Sequence, residues 1–280
     1  MMRPAPEPSP LVYVQDDRFV VAVGEPLPLT NGSRIVVAKW DGLYAEALRA
    51  ACAQAFPEAA VTVCRRADET LRALRAQPAD LVLTGLTFVD LDGVDVLEHI
   101  ARERLATRVL VVSGRKDERS MQALRTVRFD SFFDPFAESL ETLADALRQV
   151  AEGRGYISPS LRRQLTGRPT EMLGQRLTPG QLQVLCVIGD GSDNAEAAER
   201  LGLSESTVQT HRRNIMRKLG VPTSAKLVRE AVRLGVVRIT PAGKVVRPGF
   251  ERMFADGSSR PSAPPTPAPY PTRPGRRARA

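Results

Sequence analysis

The sequence predicts an α/β domain, a doubly wound five-stranded parallel sheet, followed by an all-α domain of four helices built round a helix-turn-helix. Three observations predict it. Between residues 34 and 152, short apolar runs alternate with helical segments five times, as in a parallel sheet buried on both faces. Between 177 and 242, three helical segments follow one another, the first and third capped, with a glycine turn between the second and third. The chain of 280 residues has room for two ordinary domains, and its 42% hydrophobic content is normal for a globular protein.

Residues 1–33 are an N-terminal extension. It opens on MMRPAPEPSP, expected to be disordered, and continues as LVYVQDDRFVVAV, which reads as a hairpin around Asp16 and Asp17. Strands are expected at Ile35–Ala38, Val61–Val63, Leu81–Leu83, Val109–Val112 and Phe132–Phe133. The intervening stretches Ala45–Phe56, Asp68–Ala76, Val94–Arg104, Glu118–Thr126 and Glu138–Glu152 carry apolar residues at three and four spacing and read as helices. Residues 153–176 read as a linker rich in Arg and Gly.

In the second domain, 177–242, Thr178-Pro179 is an N-cap with proline at the first helical position, and Leu182, Leu185 and Ile188 repeat until Gly191. A short helix over Asn194–Leu201 offers Ala195, Ala197 and Ala198 for close packing, and Gly202-Leu203 makes the turn. Ser204 caps the third helix. The segment 243–280, rich in Pro and Arg, has too little apolar residue to fold and is expected to be disordered.

On the third helix, Val208, Ile215 and Leu219 share one side, while Ser206, Gln209, Thr210, Arg213 and Arg217 cluster opposite. A major groove admits one helix and meets its N-terminal half, so Gln209, Thr210 and Arg213 are placed to read base edges. Arg217 and Lys218 are placed to hold phosphates, with an affinity that falls as salt rises. Arginines on a solvated helix are ordinary when alone. Two preceding helices, a glycine turn and a capping serine in order are not.

Residues 177 to 235, including TVQTHRRNIMRKLGV at Thr207–Val221, resemble the DNA-binding domain of LuxR/FixJ (NarL-like) transcription factors over its whole length. The resemblance implies base reading by Gln209, Thr210 and Arg213, where a lysine is common in the family in place of Gln209. It implies a fourth helix over Ser224–Leu234 and a homodimer on double-stranded DNA through that helix. Leu227, Ala231 and Leu234 form its apolar stripe, part of which must cover its own core. The five βα units resemble the flavodoxin-like receiver domain of response regulators, in which ligands gather at the C-terminal ends of the strands.

Net charge is −2 over residues 34–151, +3 over 177–242 and +6 over 243–280, so the basic charge lies toward the end expected to meet DNA. Cys52, Cys64 and Cys186 are far apart with no CxxC, and only His99 and His211 accompany them, so three buried thiols are expected, with no metal site and no cofactor. His211 falls toward the packed side of its helix. No apolar run is long enough to span a bilayer and no signal-peptide pattern opens the chain, so a cytoplasmic protein is expected. No nucleophile–base pair or phosphate loop points to an enzyme.

Receiver chemistry needs an acceptor carboxylate, an acidic pair for magnesium and a lysine for the phosphoryl charge. At the matching positions this chain has Gly85 for the acceptor, Lys39 and Trp40 for the acidic pair, and Asp134 for the lysine before Pro135. Ser131 replaces the switch aromatic. Ser113, Pro135 and Asp92-Gly93 keep the pattern. Asp41 as a displaced metal ligand and Thr84 or Thr87 as substitute acceptors are poor candidates, because a lone carboxylate holds magnesium weakly and a hydroxyl needs an activating base. Residues 34–152 thus read as a pseudo-receiver independent of aspartyl phosphorylation.

Lys39 and Asp134 are expected to end on strands flanking Gly85, where an ion pair could replace the metal-centred network. Three modes of control stay open: none at the receiver, a small molecule in the pocket vacated around Gly85, Trp40 and Ser113, or a protein partner on the face near Phe129–Phe136. Phe132 and Phe133 themselves read as core. The competing reading is an interaction protein whose pseudo-receiver binds a protein or small molecule and whose helix-turn-helix does not read DNA.

Overall fold

The computed structural model describes residues 12–15, 18–165, 176–239 and 245–246. Five strands, β3 (Arg34–Ala38), β4 (Ala60–Cys64), β5 (Ala79–Thr84), β6 (Ala106–Val112) and β7 (Ser131–Phe133), form one sheet in the order β4-β3-β5-β6-β7. Every pairing in it is parallel. Helices α1 (Gly42–Ala55), α2 (Ala67–Ala76), α3 (Gly93–Glu103), α4 (Glu118–Thr126) and α5 (Leu140–Ala151) make the crossovers. All ten elements lie where the alternating pattern puts them, with ends shifted by a few residues.

The sheet is buried on both faces because its strands are apolar at consecutive positions. Val36, Ala38, Val82, Val109 and Val111 pack toward α2, α3 and α4, whose Leu71, Leu74, Leu97 and Leu124 close that core. Ile35, Val37, Leu81, Leu83, Leu110 and Val112 face α1 and α5, meeting Leu48, Cys52, Leu143 and Leu147. The three cysteines are free and buried, as expected.

The fold extends beyond both expected domain boundaries. β1 (Val12–Gln15) and β2 (Arg18–Val21) pair antiparallel, so the hairpin flanks Asp16 and Asp17, which lie outside the described residues together with 1–11. Val12 bridges Phe129, Val23 bridges Arg154, and Gly24 donates to the Gly153 carbonyl at 2.7 Å. The Glu25 carbonyl takes a 3.2 Å hydrogen bond from Arg108, a buried arginine that also faces Asp130.

The stretch read as a linker is folded in its first half. The backbone of Phe132 bonds to Tyr156 and Ser158, and α6 (Pro159–Leu165) follows. The reason is the free edge of β7, whose backbone groups need partners. Residues 166–175 lie outside the described residues.

The second domain has its own core. Helices α7 (Pro179–Ile188), α8 (Asn194–Leu201), α9 (Glu205–Leu219) and α10 (Ser224–Arg233) enclose Leu182, Leu185, Ile188, Ala197, Ala198, Val208, Ile215, Leu219, Leu227, Ala231 and Leu234. Ala195, expected to pack, is exposed instead. Thr178 with Gln181 and Asp193 with Glu196 form reciprocal capping boxes, and Ser204 accepts from the Thr207 N–H at 3.1 Å. Each such cap is worth about 1 kcal/mol.

Gly202, at φ +63°, turns α8 into α9 without the strain a side chain would bring. β8 (Arg238–Ile239) pairs antiparallel with β9 (Val245–Val246), so the expectation of disorder from 243 onward fails at this β-branched pair. The remainder of 247–280 lies outside the described residues. Among the described residues no helix is long and apolar enough to cross a membrane.

Candidate nucleic-acid interface and the strand ends around Gly85

Helix α9 crosses over α7 and α8, and what it buries decides what it shows. Val208, Ile215 and Leu219 go inward. Ser206, Gln209, Thr210, Arg213, Arg217 and Lys218 are all exposed, so the structure brings the six expected contact residues onto the outer side of one helix. The Thr210 hydroxyl donates to the Ser206 carbonyl at 2.9 Å, and Arg217 donates to Asn214 Oδ1 at 3.0 Å. Gln209 and Arg213 are the long side chains nearest the helix N-terminus on that side. His211 is half-buried, close to Gly180, in keeping with a packing role.

Two cations are used differently from what periodicity suggests. Lys218 Nζ donates to Gln181 Oε1 at 2.9 Å, tying the end of α9 to the cap of α7. Arg212, which the sequence reading passed over, donates to Asn194 Oδ1 at 2.8 Å and to the Ser192 carbonyl at 2.7 Å. It therefore fixes the angle between α9 and the start of α8. Adjacent arginines at 212 and 213 point to opposite duties, and a helical wheel separates them by only one position.

The stripe on α10 faces its own domain: Leu227, Ala231 and Leu234 are all buried. Ala225, Lys226 and Arg229 are exposed, with Val228 and Val232 partly so.

At the C-terminal ends of the strands, a neighbouring side chain covers Gly85, the residue at the position read as the acceptor. Lys39 lies across Gly85, and a Cβ there would stand 3.1 Å from Lys39 Cδ and 3.3 Å from its Nζ. The ammonium donates to the Val112 carbonyl at 3.1 Å and sits 4.6 Å from the centre of the Tyr44 ring. Burial pushes its pKa down from 10.5 to about 8, with Asp41 acting the other way. Trp40 is half-buried, and its carbonyl accepts from the Arg65 guanidinium. Ser113 is buried, its hydroxyl accepting from the Arg115 N–H at 3.0 Å.

The expected Lys39–Asp134 ion pair is not formed. Asp134 is buried and pairs instead with Lys116 Nζ at 2.7 Å, while accepting from the Ser160 hydroxyl at 2.6 Å and the Phe136 N–H at 3.0 Å. Burial raises its pKa, but Lys116 and Ser160 outweigh that and hold the carboxyl below the ordinary range. The physical reason is reach: Lys39 is turned inward over a residue with no side chain, and Lys116 comes to Asp134 from the loop after β6. Sequence carries no periodic signal linking 116, 134 and 160.

Asp92 caps α3, accepting from the Val94 N–H at 2.9 Å, and meets Arg115 at 2.7 Å and Arg119 at 3.5 Å. Gly93 is required, since a Cβ would stand 2.4 Å from Leu86 Cα. Asp41 is engaged as the cap of α1, accepting from the Tyr44 N–H at 3.0 Å, and Thr84 is buried.

A magnesium ion of the kind receivers hold does not fit this donor set, because an ammonium and an indole stand where carboxylate oxygens are needed. Among the described residues no three His, Cys, Asp or Glu side chains converge as a metal site. Of the space around Gly85, Trp40 and Ser113, one of three places left open for control, the part directly over Gly85 holds the Lys39 side chain. A groove of about 440 Å³ lies instead between α1 and α5, lined by Tyr44, Phe133, Glu138, Leu140 and Leu143 among others. On the face near Phe129–Phe136, considered for a protein partner, the chain's own segment 156–158 bonds to Phe132, and Phe129, Phe132 and Phe133 are core, while Phe136 is exposed.

Residues 175–231 match the family of bacterial regulatory proteins known as the luxR family. The transcriptional regulatory protein SgaR of Hyphomicrobium methylovorum, itself described as probable, is 32% identical over 166 residues, 58% of this chain and 74% of that protein. The transcriptional regulatory protein MctR of Rhizobium johnstonii is 31% identical over 157 residues, 56% of this chain and 73% of that protein. A solved structure of RcsB from Salmonella enterica serovar Typhimurium, bound to the promoter rprA, aligns with 70% of this chain and 96% of its own at 19% identity and a TM-score of 0.46. With a receiver-type sheet preceding a matched helix-turn-helix, the chain belongs to the luxR family of bacterial regulatory proteins, as a DNA-binding transcriptional regulator of the response-regulator type.

Proposed function

We propose that this regulator binds a specific sequence in double-stranded DNA as a homodimer and does so without aspartyl phosphorylation. The observation that carries the second half is Lys39 over Gly85: the acceptor position has no carboxylate, and the space beside it holds an ammonium hydrogen-bonded to Val112. Phosphoryl transfer onto aspartate needs both that oxygen and a cation to neutralise the developing charge. The oxygen is absent, and the cation present is an ammonium engaged by the chain itself where carboxylates would be needed to hold magnesium. Gln209, Thr210 and Arg213 read bases, Ser206 and Arg217 contact the backbone, and Lys218 adds phosphate affinity from its place beside Gln181. The exposed side of α10 is the pairing surface between copies.

The test is selection from a pool of random-sequence duplexes, followed by binding isotherms for the enriched sequence. One sequence should be preferred, and its affinity should be unchanged after incubation with acetyl phosphate and magnesium. Stable uptake of radiolabelled phosphate, or the absence of any enriched duplex, would refute the corresponding half.

A further inference from the structure

The helix-turn-helix is joined to the receiver end to end. The first turn of α4 leaves N–H groups without intrahelical partners, and the last turn of α10 leaves carbonyls in the same condition. Here they meet: the Arg119 N–H donates to the Leu234 carbonyl at 3.2 Å. The helix dipoles run head to tail across that bond, which makes the contact favourable. Gly235 comes so close that a Cβ would stand 2.1 Å from Asp117 Oδ1 and 2.9 Å from Arg119 Cβ.

Around this bond, Arg238 donates to the Phe88 carbonyl at 3.0 Å, and Arg233 reaches Glu118 at 3.5 Å. Asp117 and Arg119 belong to the charge network that also contains Asp92 and Arg115. The junction thus rests on the loops that border the vacated acceptor site.

With the two domains so joined, the reading side of α9 stays open. Gln209, Thr210, Arg213 and Arg217 are exposed in the presence of the receiver. Among the described residues no hydrogen bond or ion pair joins α9 to the receiver; its side chains bond to Gln181, Ser192, Asn194 and residues of α9 or its cap. A receiver that masked the reading helix would have to bury those side chains. This one grips the far end of α10.

We propose that the α4–α10 junction is a permanent strut, and that the protein binds DNA with its domains docked, without a release step. The proposal rests on α9 being the DNA reader, and the experiment separates the two. Glu118→Cys and Arg233→Cys, joined by a short bismaleimide, hold the junction closed, the native cysteines being buried. Arg238→Glu opens it by setting a carboxylate against Asp92 and Asp117, which small-angle scattering reads as an enlarged radius of gyration.

The cross-link should form efficiently in free protein, the linked protein should bind the selected duplex within about threefold of the unlinked double variant, and Arg238→Glu should gain no affinity. A cross-link yield no higher than that of a control pair at Leu43 and Arg213 overturns the proposal. So does a loss of about tenfold or more on linking, or an equal gain on opening. If unmodified protein selects no duplex, the DNA reading falls and the proposal with it; if it selects one that the linked protein cannot bind, only the proposal falls.

Discussion

Replacing Lys39 with methionine tests the reading of the acceptor site through stability, with no need for a DNA ligand. An unbranched side chain one atom shorter is kept and the charge removed. Burial pushes the Lys39 pKa from 10.5 in the unfolded chain down to about 8 in the folded one. Between those values the unfolded state binds more protons than the folded state, so the unfolding free energy rises with pH through that window. At about 1.36 kcal/mol per pH unit the rise is worth about 3 kcal/mol, somewhat less because the ammonium keeps some access to water.

Tyr44, beside Lys39, is pushed by burial above its ordinary range, so near pH 10 and above it works the other way, only the unfolded tyrosine ionising, and it does so in both proteins. The assay is urea unfolding followed by fluorescence of Trp40, the single tryptophan, at steps from pH 7 to pH 10.5 for both proteins. Wild type should gain on Lys39→Met by about 2–3 kcal/mol across that range. Taking the difference cancels titrations common to both. A difference that stays flat with pH would mean that the ammonium is hydrated and does not lie over Gly85, and the account of the vacated site would fail.

Three further outcomes follow from the same contacts. Arg213→Ala should lose about 1–3 kcal/mol of discrimination between the selected duplex and mismatched competitors, whereas Arg212→Ala should lower the melting temperature and leave the preferred sequence unchanged, both read by anisotropy and calorimetry. Asp134→Asn should lower stability at pH 7 by about 1–3 kcal/mol. Because the folded carboxyl lies below its ordinary value, that contribution is present above about pH 4 and lost as pH falls further, so wild type and variant should converge in acid unfolding. Gly93→Ala sets a Cβ against the backbone of Leu86 and Gly85, which cannot yield as a side chain would, and should destabilise by about 2 kcal/mol or more in denaturant titration.

Elements whose cause is local were legible in the sequence. Helices α7 to α9 begin at residues that cap them by their own side chains, and the sheet strands are runs of β-branched and aliphatic residues between polar helical stretches. The reading face of α9 was equally legible, because a helix that buries Val208, Ile215 and Leu219 has only one other side. What escaped was set by distant partners. Segment 156–158 pairs with β7 because a sheet edge is free, and nothing in Tyr156-Ile157-Ser158 announces it. Lys39 does end a strand beside that of Gly85, but Asp134 ends β7, which β6 separates from β5, and strand position says nothing of side-chain direction. Lys116 from a loop and Ser160 from α6 decided where the Asp134 charge went.

The charges around the vacated site share a property that bears on how this regulator works. A phosphorylation switch needs groups that exchange partners when the phosphoryl group arrives and leaves, and therefore groups that one state leaves unsatisfied. Here the candidates are engaged by the chain itself: Lys39 by the Val112 carbonyl, Asp134 by Lys116 and Ser160, Asp92 by Arg115 and Arg119. The partners of Asp134 and Asp92 lead to the parts that a switch would move. Ser160 opens α6, and Arg119 opens the turn of α4 that meets α10. On the proposed reading, then, residues that in a switch would report a bound phosphoryl group instead hold the segment after the sheet and the DNA-reading domain in one placement, and the amount of protein, not its chemical state, sets occupancy of the DNA site.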